Sequence, residues 1–401
     1  MTAKIQNQGL SPGLIFLLAT AVGMIAANLY YAQPLVAMIS AAIGLPAEAA
    51  GLVVTLTQVG YGLGVLLIVP LGDIVENRRL ILLMLSVTVL GLLGLAFVTQ
   101  MIPYFIAAFA TGLGTSAVQI LVPYSAHFAP EAKRGAVTGS LISGLMIGIM
   151  LSRPVAGLLT DAFSWHAVFV LSAGLMTTLA IVLYFLLPQR LAPNANLRYK
   201  HLLHSMIHLF TQTEILRRRA IYQAFLFGAF CLFWTAIPLL LAGPQFHLSQ
   251  TAIAIFALVG VAGAIVAPYA GKAADRGLIK RATTIAIISS SVSFLLSHFF
   301  ENGSPAALTA LVVSAVLLDA GITANLVLGQ RAIFALQPEY RSRLNGLYIA
   351  TIFIGGACGS ALGAWSFARG GWPLTSWVGF LMPAAAFVYF LTEENPKRII
   401  P

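Results

Sequence analysis

The chain has 401 residues, of which 59% are hydrophobic and 8% charged, where a soluble domain carries about 25% charged residues. A water-soluble core of this size would leave much apolar surface exposed, so the chain is solvated by lipid. The net charge of +10 does not point to nucleic acid, because the basic residues sit at alternate helix connections and form no basic groove.

A helix needs about 20 apolar residues to cross the hydrocarbon core. Twelve runs have that character, at about 13–39, 47–71, 79–99, 103–128, 135–159, 165–187, 220–242, 249–270, 282–300, 305–330, 344–367 and 374–391. Strands are excluded, since a lone strand cannot satisfy its backbone in lipid. The first run, Leu14 to Ile39, has no small-residue cleavage site and is expected to stay as a span. Several runs are glycine-rich, with Gly60, Gly62 and Gly64 in the second, Gly144 and Gly148 in the fifth, and Gly355, Gly356 and Gly359 in the eleventh. Small residues let helices approach closely. Cys231 and Cys358 lie inside apolar runs and read as core residues, with no disulfide or metal pattern.

Twelve spans put both termini on one side. Twenty of the 22 Lys and Arg residues fall on that side, and only Arg153 and Arg369 do not. The positive-inside rule places both termini in the cytoplasm, as expected in a bacterial inner membrane. The polar connection 188–219 divides the chain into bundles at 1–187 and 220–401. Within it Leu202, Leu203, Met206, Ile207, Leu209 and Phe210 recur at helical spacing, which predicts an interfacial helix. His201, His204 and His208 share its other face. With no Cys or carboxylate beside them they read as a solvated face and not a metal site.

Two connections repeat each other. Pro70-Leu71-Gly72-Asp73 leads to Arg78 and Arg79, and Pro268-Tyr269-Ala270-Gly271-Lys272-Ala273-Ala274-Asp275-Arg276 leads to Lys280 and Arg281. The two aspartates lie 202 residues apart, half the chain. Duplicated halves in a membrane protein point to a transporter that rocks around a central site. The paired motif resembles the signature Gly-x-Leu-Ala-Asp-Arg-x-Gly-Arg-Arg/Lys of the major facilitator superfamily. The second copy follows its opening, whereas the first has Val69, Ile74 and Glu76 in place of the leading Gly, the Arg and the later Gly. The resemblance implies an all-α fold of 12 transmembrane helices in two pseudo-symmetric six-helix bundles. It also implies that Asp73, Arg78, Arg79, Gly271, Asp275 and Arg276 serve as a conformational gate.

Arg153-Pro154-Val155-Ala156-Gly157 in the fifth span looks like the Gly-Pro-x-x-Gly antiporter motif of drug:proton exporters, with Arg153 in place of the glycine. The fourth span has Ala108 where proton-coupled members usually carry Arg, four residues before Gly112. Asp319 lies roughly 18 Å and 21 Å from the two ends of its run, close to mid-depth. An acid there is costly and is a functional candidate by default, either as a proton site or as a protonated helix–helix hydrogen bond. Arg153 lies roughly 28 Å along the helix from Arg134, which predicts a place towards the outer surface, snorkelling or closing an outer gate with Pro154.

In the family, spans one, four, seven and ten line the pathway. The resemblance therefore makes Asn28, Tyr31, Gln33, Gln119, Tyr124, Tyr222, Gln223, Trp234 and Asn325 candidates for the cavity wall. The expected activity is secondary transport of a small organic solute by alternating access, in the first place proton-coupled efflux by antiport, with import by symport or uniport as the alternative. No nucleophile–base pair, His-Glu-x-x-His helix or phosphate loop is present. An enzyme is not expected, and neither is direct ATP drive. A sensor would need an output domain. The expected partners are solute, protons and the bilayer, with no cofactor and a monomeric chain.

Overall fold

The computed structural model describes residues 10–130, 133–190, 198–299, 303–336 and 340–393. Lys4, Lys397 and Arg398, three of the charges used for topology, lie outside the described residues. The described chain is helical from end to end, and twelve spans can be followed. Ten helices are long and apolar enough to cross a membrane. One of them, Arg341–Leu391, holds two spans broken at Gly370 and Gly371. The positive φ of Gly371, 59°, is open to glycine at no steric cost. The first span consists of the shorter helices Pro12–Ala27 and Val36–Ala42, joined through a 3-10 turn at Gln33–Leu35.

The remaining spans are Leu52–Leu63 with its π and 3-10 extension to Asp73, Asn77–Phe97, Met101–Thr115 with Val118–Phe128, Arg134–Ala162 and Trp165–Leu186 in the first half. The second half has Glu214–Ala242, Gln250–Ala257 with Ala262–Asp275, Ile279–His298 and Pro305–Phe334 before the doubled helix. Helix starts follow from local chemistry. Ser11, Ser164, Ser249 and Ser304 each accept from the backbone N–H three residues on. Such caps each contribute about 1 kcal/mol.

The two halves have separate cores. One cluster is built almost wholly from spans 1 to 6, and the other from spans 7 to 12 joined by Leu29, Tyr30, Tyr61 and Val65 of the first half. Their helices pack by the same device. A Cβ on Gly144 or Gly148 of span 5 would strike the carbonyls of Ala19 and Gly23 in span 1. A Cβ on Gly355 or Gly359 of span 11 would strike those of Ala224 and Gly228 in span 7. With no hydrophobic force between helices in lipid, this close approach supplies the packing energy. Apolar side chains such as Phe16, Leu90, Phe185 and Ile285 stand outward at 69% exposure or more, as a lipid-facing surface requires.

The connection carries the expected helix, Tyr199–Gln212. Its apolar side differs from a free interfacial face. Leu202 and Met206 are buried in the second core, leaving Ile207 outward. His201, His204 and His208 are exposed.

Candidate functional site

Three helix breaks converge between the halves. Leu29 and Tyr30 lie in the turn of span 1, Gln119 follows the break of span 4, and Gly260 lies in the 3-10 segment Leu258–Val261 of span 8. Irregular backbone at membrane depth is tolerated where it lines a cavity. These residues line one of about 170 Å³, together with Arg153, Gln223 and Asp319. Its other walls combine the aromatic Tyr61, Phe227, Phe230 and Phe353 with aliphatic residues such as Leu145, Met150 and Ile322.

Arg153 and Asp319 face this cavity from opposite halves, both buried at 3% and 4% exposure. Arg153 Nε donates to Gln33 Oε1 at 2.8 Å, and its guanidinium lies over the rings of Tyr30, Phe230 and Trp234, at 5.2, 5.2 and 4.5 Å. Desolvated cation–π contacts reach about 2 kcal/mol each. Trp234 also donates its Nε1–H to Asp319 Oδ1 at 3.1 Å. One indole therefore joins the acid through its edge and the cation through its face.

No ion pair joins Arg153 and Asp319, although each lies within the other's field. Gly260 borders the gap between them. A Cβ there would stand 2.8 Å from Asp319 Oδ2 and 3.8 Å from Arg153 Nη1. Two buried donors remain without hydrogen-bond partners, Arg153 Nη2 and Gln33 Nε2. The expectation that Arg153 snorkels at the outer surface is therefore corrected. Its helix continues to Ala162, about 14 Å further along the axis, so distance from Arg134 overstated its height. Pro154 beside it is also buried.

The other candidate wall residues divide. Gln223 donates to the Ile322 carbonyl at 3.2 Å and accepts from Asn325 Nδ2 at 2.7 Å, leaving Asn325 Oδ1 unpartnered. Gln119 donates to Tyr61 Oη at 2.9 Å. Of the nine only Gln119 and Gln223 line this cavity; Asn28, Tyr31, Gln33, Tyr124, Tyr222, Trp234 and Asn325 do not. Asn28 accepts from Ser172 at 2.6 Å and donates to Met24 and Ile25 carbonyls, its polar capacity spent inside the first half. Tyr31 lines a groove between spans 1 and 5. Tyr124 donates to the Pro188 carbonyl, and Tyr222 to Glu393 at 3.1 Å. Both sit where spans meet the basic face.

Sequence reasoning passed over Tyr30, Phe230, Gly260 and Gln58. Gln58 is buried in span 2 and donates to Cys231 Sγ at 3.2 Å and Ser360 Oγ at 3.3 Å, across the junction of the halves. Its signal was available, an amide inside an apolar run, but on a helix that the resemblance did not mark as lining the pathway.

At the basic face, Asp73 is half-buried within the fields of Arg343 and Arg190. Glu76 caps the third span, accepting from the backbone of Arg78 and Arg79 at 2.9 Å each. Arg78 reaches the Tyr184 carbonyl and lies over that ring, whereas Arg79 stands out, 3.9 Å from Glu76. In the second copy Gly271 is buried and Arg276 exposed. Asp275 pairs with Arg331 at 3.6 Å, both more than half exposed. At the opposite face spans 5 and 8 are tied by Asp161, which accepts from Thr251 N at 2.6 Å. Spans 2 and 11 are tied there by Glu48 and Arg369 at 4.0 Å. The basic half of span 5, by contrast, has open space beside Gly135 and Gly139.

A family model described as Major Facilitator Superfamily matches residues 15–313 and again 232–401. The chain is 38% identical to the uncharacterized transporter YgaY of Escherichia coli O157:H7, over 91% of this chain and 92% of that one. It is 31% identical to "Probable transporter SCO4007" of Streptomyces coelicolor, over 89% and 82% respectively. The crystal structure of the nucleoside transporter NupG shares the fold with TM-score 0.72 at 16% identity, covering 94% of this chain and 97% of that one. A POT family transporter in complex with 5-aminolevulinic acid does so with TM-score 0.74 at 12% identity, covering 94% of each.

Proposed function

The chain belongs to the major facilitator superfamily, and from that premise we propose that it moves a small organic solute across a bacterial inner membrane by alternating access, coupled to protons at Asp319. The bundles 1–187 and 220–401 are the rocking bodies, 188–219 is their tether, and both termini face the cytoplasm. The observation that carries proton coupling is the placement of Asp319. Among the described residues it is the only carboxylate at mid-depth of a span, and it faces the central cavity from one half while Arg153 faces it from the other. An intramembrane acid of this kind marks a proton or substrate pathway.

Two modes of coupling remain distinct. The likeness of the fifth span to drug:proton exporters supports efflux by antiport, in which solute and proton compete for one acid. The cation beside that acid supports symport, because a proton on Asp319 leaves Arg153 without an internal counter-charge and ready for a solute. Symport, running inward, accounts for both charges.

Reconstitution into liposomes with an imposed pH gradient is the test. Solute accumulation is expected to follow proton entry and to be lost in Asp319→Asn. A variant that still concentrates solute normally removes the proton assignment. Flux of solute against proton entry, in vesicles of known orientation, restores antiport.

A further inference from the structure

Resting on that reading, we infer that the cargo is a compact, planar organic acid carried as its anion, with its carboxylate held by Arg153 while a proton sits on Asp319. The guanidinium presents a fork of N–H donors that matches a carboxylate through parallel hydrogen bonds. In Arg153 only Nε is engaged, by Gln33 Oε1 at 2.8 Å. That contact fixes the Gln33 amide so that its NH2 is the outlying group, and both Gln33 Nε2 and Arg153 Nη2 lack partners in a buried site. Buried donors in native proteins are normally satisfied. Arg153 lines the cavity while Gln33 does not, so the group there that awaits an acceptor is the cation, with its Nη2 unpartnered.

Charge decides the class. Arg153 stays protonated at any physiological pH, so a cationic solute is repelled and a neutral one leaves the guanidinium unneutralised. The groups facing the pair are Tyr30, Cys231 and Trp234, none of which supplies a fixed charge. With Asp319 protonated the site holds a single positive charge, balanced by a monoanion and overbalanced by a phosphate dianion. Shape narrows it further. The lining sets five aromatic residues among aliphatic ones such as Leu145, Met150 and Ile322, and a cavity of 170 Å³ compares with the roughly 150 Å³ that accommodates benzene in an engineered apolar core. The linkage has a definite sign. When Asp319 ionises, its carboxylate competes across the Gly260 gap for the same guanidinium, so proton and anion strengthen each other's binding, by the same factor in each direction. They then travel together as a neutral sum.

The test uses the full chain purified in detergent and radiolabelled benzoate in equilibrium dialysis at pH 6 and pH 8, with benzamide, benzylamine and propionate as competitors. Benzoate is expected to bind at least tenfold more tightly than benzamide or benzylamine, more tightly than propionate, and more tightly at pH 6 than at pH 8. Asp319→Asn should retain binding and lose its pH dependence. Arg153→Gln should weaken benzoate at least tenfold. If that variant fails to fold, Gly260→Ala serves instead. It keeps both charges, intrudes on the gap, and should weaken benzoate as well. Benzamide or benzylamine binding as well as benzoate overturns the inference, as does benzoate binding indifferent to both substitutions or no binding by the folded protein. Proteoliposomes separate this from the transport reading. Asp319-dependent accumulation of a neutral or cationic solute keeps transport and overturns the anion. Arg153-dependent benzoate binding without flux keeps the anion site and overturns transport.

Discussion

The two halves share their packing and differ at the loops that most resemble each other in sequence. In the second copy, Gly277 takes a φ of 73° and lets the chain turn back on the end of span 8, with Leu278 N donating to the Ala273 carbonyl at 2.9 Å. The first copy has no glycine there and instead uses Glu76 to cap the next helix. Asp73 is drawn half under cover towards Arg343 of the other half, while Asp275 stays exposed and pairs within its own half. A repeated motif thus places one acid in the field of an arginine across the junction of the halves and the other in a pair within its own half. Duplication preserved the charge and let its partner drift.

The largest effect should come where the halves are alike. Gly148→Leu and Gly359→Leu each drive a side chain into a facing backbone carbonyl, and overpacking of this kind costs about 1–3 kcal/mol or more. Both should sharply reduce folded, monodisperse protein in size-exclusion chromatography, and to a similar degree. If only one does, the shared packing is not equally important in the two halves.

Next comes a buried ion pair of the second half. Arg219 is buried and pairs with Glu393 at 2.9 Å while donating to Thr283 at 3.0 Å. Removing one partner of a buried pair costs about 3–5 kcal/mol when fully enclosed, and the partial exposure of Glu393 puts Arg219→Gln nearer 2–3 kcal/mol. A drop in Tm of several degrees, with Arg217→Gln as a mild control, checks this.

The gate loops should give the clearest contrast. Asp73→Asn is expected to lower transport about tenfold, equivalent to about 1.4 kcal/mol, and Arg343→Gln should do the same. Asp275→Asn breaks only an exposed pair worth about 0–1 kcal/mol, so its flux should fall less than threefold, and this smaller effect should shrink further in high salt. Equal losses from both aspartates would erase the asymmetry.

The number and order of spans were legible because apolar runs of membrane length leave little freedom, and the alternation of basic connections confirms the register. The interruptions were not. Asn28 to Tyr31 and Gly260 carry no turn signal strong enough to be seen inside an apolar run, yet they shape the cavity. Asp319 was found because a lone acid stands out at mid-depth in Pro305–Phe334. Arg153 was seen but placed too high, since its depth was measured from one end of a helix whose other end was set too short. Tyr30 and Phe230 were invisible for another reason. An aromatic residue in a greasy run gives no hint of whether it faces lipid, a neighbour or a solute, and only the fold brought these two around a guanidinium.

The connecting helix Tyr199–Gln212 is fastened at both ends of its duty. Tyr199 Oη donates to the Leu67 carbonyl in the first half at 2.6 Å, while Leu202 and Met206 are sunk into the second. In the rocking proposed above, such a strut rides with the half that buries its apolar side and gives up a single exposed hydrogen bond to the other, so it ties the halves only loosely.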